Sequence, residues 1–114
     1  AKREQSVRVR DGLVRVTRAV RVFHDDQSEE KADLMKGEIS DFYDHNIKYL
    51  MYRDWSGFEL FYIEILKCPS LSGLTQIAHR FETFLVTLLR EVQKRSILDG
   101  APARPEVETL LPEA

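Results

Sequence analysis

Histidines and carboxylates at helical spacing are the first residues in this 114-residue chain that could do chemistry. Glu38, Asp41 and His45 recur at i, i+3 and i+7, which puts them on one face of a helix, and His79 and Glu82 recur at i and i+3. Carboxylates and imidazoles projecting from facing helices form metal sites inside helical bundles. A di-metal bundle needs more carboxylates in matched pairs than this sequence supplies. These five residues are therefore expected at solvated helix edges, with no metal bound. Covalent catalysis has less to build on. Cys68 precedes Pro69 with no general base beside it, and no serine or histidine stands in a nucleophile motif. The glycines stand singly at positions 12, 37, 57, 73 and 100, so no loop could cradle a phosphate. A non-catalytic protein without a cofactor is the expectation.

Anion recognition is the second chemistry on offer. Residues 1–23 hold seven basic and two acidic side chains, whereas residues 24–64 hold four basic and eleven acidic ones. Arg8, Arg15, Arg18 and Arg21 could track nucleic-acid phosphates. They could equally pair with the acids of residues 25–64, or with those of another protein. No helix-turn-helix or zinc-finger spacing accompanies them, and the whole chain carries a formal charge of −2. Internal or protein-directed pairing is the first expectation, and a small nucleic-acid-associated regulator is the alternative.

Aromatic excess points to protein contact. Eight of the eleven aromatic residues fall between Phe42 and Tyr62. Tyr49, Met51, Tyr52, Arg53, Trp55 and Phe58 are close together there, and these are the residue types enriched at interface cores and hot spots. Near-consecutive residues of one helix cannot all point inward. The expected function is a helical protein-interaction domain, acting as a regulator, adaptor or assembly subunit. It would self-associate, most simply as a two-fold dimer, through an aromatic-rich surface.

The elements that must position these groups follow from periodicity and punctuation. Val9, Leu13, Val16, Val20 and Phe23 form a helical stripe, yet Val7-Arg8-Val9 alternates and Asp11-Gly12 is a hairpin turn sequence. Residues 7–23 are thus read as a helix from about Asp11, its N-cap, with a β-hairpin as the competing form. Ser28 caps a helix that runs to about Arg53, with Gly37 a weak point inside it. Asp54-Trp55-Ser56-Gly57 breaks the pattern, and residues 58–67 follow as a short helix or a buried strand, the helix being preferred. Ser72 is expected to cap the helix 73–98, whose stripe runs from Leu74 through Phe81 and Leu85 to Val92. Residues 99–114, with three prolines, are expected as a flexible tail carrying at most one helical turn, begun at Pro105.

The fold class is mainly α, a small antiparallel bundle of three to four helices in one domain, residues 1–98. No apolar run approaches the length of a membrane span, and the first residues lack the apolar centre of a signal peptide. With a single cysteine besides, a cytoplasmic setting is expected.

Overall fold

The computed structural model describes residues 2–112, except for the side chains of Tyr52 and Arg53. Four long helices pack together: α1 (Lys2–Asp25), α2 (Glu29–Asn46), α3 (Tyr52–Lys67) and α4 (Leu71–Leu98). A 3-10 turn (Ile47–Tyr49) joins α2 to α3, and a short α5 (Pro105–Leu110) closes the chain. No strand occurs among the described residues, and none of their helices is long and apolar enough to cross a membrane.

Side-chain pairs fix the helix directions. Arg10 meets Gln93 while His24 meets His79, so α1 and α4 run antiparallel. Arg15 meets Glu38, and Gly12 meets Phe42 and Asn46, so α1 and α2 are antiparallel as well. Phe42 with Phe58 and Tyr43 with Tyr62 set α3 on α2, and Phe61 with Phe84 sets it on α4. The helices form a ring in which α1 lies between α2 and α4, with α3 closing the far side. The core holds the α1 stripe complete, from Val9 (3% exposed) through Leu13 and Val20 to Phe23 (all three 0%). Met35, Ile39, Phe58, Ile65, Phe81, Leu85 and Leu89 fill the rest.

The hairpin alternative for residues 7–23 is overturned by a single helix that begins nine residues before Asp11, the expected cap. Gly12 shows why. A Cβ there would stand 2.9 Å from Phe42 Cδ2 and 3.0 Å from Asn46 Nδ2. The glycine is a point of close approach between α1 and α2, and Asp11-Gly12 is a packing notch rather than a turn. Three of the glycines are therefore distinguishable by experiment. Gly12→Ala is expected to lower unfolding stability by about 1–3 kcal/mol, because the buried Phe42 ring has nowhere to move. Gly57→Ala meets Phe84 Cε1 at 2.9 Å, but that ring is only half-buried and can yield. Gly37→Ala meets nothing within 4 Å in mid-helix and should stabilise by about 0.5–1 kcal/mol. Denaturant titration of the three variants checks the order.

Ser28 caps α2 as expected, its side chain accepting from the Lys31 amide at 3.2 Å. The continuation of that helix to Arg53 is not observed. The helix stops at Asn46, and the chain tightens to a 3-10 turn and then extends through Leu50 and Met51. The break thus falls at residues 47–51 rather than at the expected Asp54-Trp55-Ser56-Gly57, which lies within α3. Residues 58–67 are helical, as preferred, within a longer α3. The cap of α4 is Ser70, whose hydroxyl accepts from Gly73 N at 3.2 Å, and not Ser72.

The C-terminal segment departs from the expected flexible tail. Ala101 (6% exposed), Val107 (0%) and Leu110 (8%) are buried, with Val107 and Leu110 part of the core cluster. Arg10 Nη1 donates to the Pro102 carbonyl at 2.9 Å, and Gln93 Nε2 donates to the Arg104 carbonyl at 3.2 Å. Gly100, at φ +98, makes the turn that brings the chain back. Pro105 at the start of α5 is the one part of this segment that was legible.

Candidate interaction surface

The aromatic stretch is mostly a seam between helices. Phe42 and Phe58 are buried with ring centroids 4.9 Å apart, and Tyr43 stacks on Tyr62 at 4.2 Å. Partial desolvation, and then the adjacent Glu59 carboxylate, raise the Tyr43 phenol above its ordinary value of 10.0. Of the six expected partner-binding residues, Phe58 is a core residue at 0% exposure, which removes it from any surface. Tyr49 and Trp55 are half-buried, and Met51 is 71% exposed. The side chains of Tyr52 and Arg53 lie outside the described residues.

Each of the four arginines assigned to phosphate contact has a partner within the fold. Arg8 lies 5.8 Å from the centroid of the Tyr49 ring. Arg15 grips Glu38 with two parallel bonds, Nε at 3.0 Å and Nη2 at 3.1 Å. Arg18 pairs with Glu106, and Arg21 lies 3.8 Å from Glu82 and donates to the Leu110 carbonyl. Only one of these acids, Glu38, belongs to residues 25–64. Arg8 meets the α2–α3 junction instead, and Arg18 and Arg21 tie down α4 and the C-terminal segment.

The two halves of the metal candidate do not converge. Glu38, Asp41 and His45 line a pocket of about 240 Å³ beside Gly12 and Arg15, where Glu38 is held by Arg15 and His45 Nδ1 lies 2.8 Å from the Asp41 carbonyl. His79 and Glu82 sit on α4 near the other end of α1. There His79 stacks on His24 at 4.2 Å, and His24 Nδ1 lies 2.9 Å from Glu82 Oε2. The nine-residue step along α1 from Arg15 to His24 separates the two groups by about 13.5 Å along the helix. Among the described residues, no group of three or more His, Cys, Asp or Glu side chains is placed to hold a metal. Cys68 Sγ donates to the Ser70 carbonyl at 3.4 Å.

Two surfaces remain. One is a cleft of about 400 Å³ where the start of α1 and the end of α4 meet the α2–α3 junction, with Val9, Leu50, Leu88 and Val92 among its lining. The other is the outer face of α3. Leu60 (64% exposed), Ile63 (41%) and Leu66 (38%) follow one another at three-residue spacing. They lie opposite the face that Phe58, Phe61 and Ile65 turn inward. Sequence reasoning passed over these three aliphatic residues in favour of the aromatic ones nearby. A signal was present, since residues 58–66 contain only two charged side chains, Glu59 and Glu64. A helix so composed must expose apolar groups once its core face is filled.

No protein-family model, curated protein or solved structure matches the chain.

Proposed function

We propose that this chain is a non-catalytic helical interaction domain, an adaptor or assembly subunit, that binds a second copy of itself through the outer face of α3. The exposed stripe Leu60–Ile63–Leu66 carries this reading. Its residues belong to a helix whose opposite face already fills the core, so burying them gives the bundle's own packing nothing. Burying them against another copy removes apolar surface from water at little conformational cost, because α3 is already ordered. The interface is aliphatic, with the aromatic residues beneath it stiffening the helix that presents it. Cys68 as the single cysteine fits a reducing, cytoplasmic setting.

Ile63→Glu tests the reading. This side chain faces solvent in the isolated chain, so the melting temperature should stay within a few degrees of wild type. Dimerisation should be abolished by a charge at the centre of the contact. Met51→Glu and Leu98→Glu alter residues that are more exposed still, 71% and 79%, but off the stripe, and should leave association intact. Light scattering at high micromolar concentration reads both results. Equal loss of association in all three variants would contradict a contact centred on α3.

A further inference from the structure

The sequence of α3 constrains how two such faces meet. Resting on the self-association just proposed, we infer that α3 pairs antiparallel with its copy about a two-fold axis at Ile63. The outer face is arranged symmetrically about that residue. At 100° per residue, Leu60 and Leu66 lie to either side of Ile63 by the same angle, as do Glu59 and Lys67. An antiparallel pairing centred there sets Leu60 level with the partner's Leu66 and Ile63 level with the partner's Ile63. The apolar layers are then continuous.

Charge selects this direction over the parallel one. In the antiparallel register Glu59 of each copy stands level with the partner's Lys67, whereas a parallel register sets Glu59 against the partner's Glu59 and Lys67 against the partner's Lys67. Like charges placed together across an interface oppose assembly. Glu59 is hydrogen-bonded by the neutral Tyr43 hydroxyl and keeps its negative charge, whereas the other acid nearby, Glu64, is neutralised by Arg80 at 3.2 Å. Antiparallel helices also set opposite dipole ends side by side, which parallel ones do not. A two-fold contact of this kind uses one patch twice and closes at the dimer.

Oxidative cross-linking distinguishes the registers. In a Cys68→Ser background, three single variants, Leu60→Cys, Ile63→Cys and Leu66→Cys, are oxidised at a concentration where the parent's mass by light scattering is measured in parallel. Circular dichroism of each confirms folding, which exposed positions should tolerate. Ile63→Cys is expected to form a covalent dimer in high yield, since the two positions coincide at the axis. Equivalent positions at 60 or 66 are separated by about 9 Å along the helices, beyond disulfide reach. Those two variants should stay largely uncross-linked. Equal cross-linking at all three would show a parallel pair and overturn the register while leaving self-association standing. A dimeric parent with no cross-link at 63 would overturn it too. A monomeric parent would remove the underlying reading along with it.

Discussion

Replacing Phe81 by alanine is expected to lower unfolding stability by about 3–5 kcal/mol, a large part of the 5–15 kcal/mol that a typical domain has in total. Phe81 is fully buried at the middle of α4, and its ring lies 5.5 Å from Phe58, 5.2 Å from Phe61 and 6.4 Å from Phe84, centroid to centroid. Three of its neighbours are therefore planar rings, which fill the space it leaves poorly, and Phe58 among them is itself fully buried. Two of them belong to α3, so the same cavity loosens the helix that carries the exposed stripe. One residue away, Arg80 has a side chain 63% exposed and paired with Glu64. Arg80→Ala should cost within the roughly 1 kcal/mol that exposed ion pairs contribute. Chemical denaturation of both variants checks the contrast, and equal losses would contradict the assignment of faces on α4.

Arg10→Ala is expected to be the most damaging change to a charged residue, at about 2–4 kcal/mol. Its side chain is only 7% exposed, and one nitrogen, Nη1, donates both to Gln93 Oε1 at 3.0 Å and to the Pro102 carbonyl at 2.9 Å. Asp11 lies 3.4 Å from Arg10 Nε and 2.8 Å from Arg104 Nη1, so one carboxylate serves both guanidinium groups. Removing Arg10 leaves the Pro102 carbonyl without that donor and takes from Gln93 one of the two donors to its oxygen. Arg10→Lys keeps the charge but loses the planar fork, and should recover only part of the loss. Because these bonds hold residues 101–111 against α1 and α4, proteolysis in that segment should accelerate in Arg10→Ala at temperatures where the bundle remains folded. Unchanged proteolysis would mean that Val107 and Leu110, with the Arg18, Arg21 and Gln93 contacts, hold the segment down without Arg10.

What could be read from the sequence divides along physical lines. The stripes of α1 and α4 were legible because each repeats over several turns, and their residues are buried or half-buried as the period requires. The start of α2 was legible from Ser28, whose hydroxyl acts locally. Features that depend on contacts distant in sequence were not. Gly12 looked like a turn because nothing near it in the chain shows that Phe42, thirty residues on, packs against its Cα. The C-terminal segment looked mobile because its three prolines act locally, while the Arg10 and Gln93 side chains that hold it lie on other helices. The four arginines looked available to phosphate for the same reason, their partners being as far away as Glu106. At the candidate surface, aromatic residues are the commoner hot-spot type, but Phe42, Phe58 and Phe61 are taken up by the seam between α2, α3 and α4. The smaller Leu60, Ile63 and Leu66 are left outside.

Sedimentation equilibrium of the wild-type chain from low to high micromolar concentration tests the self-association through α3 most directly. The apparent mass is expected to rise from 13.3 kDa toward twice that value and level off there, with Ile63→Glu remaining at 13.3 kDa throughout. A wild-type mass that stays at 13.3 kDa over the whole range would contradict it.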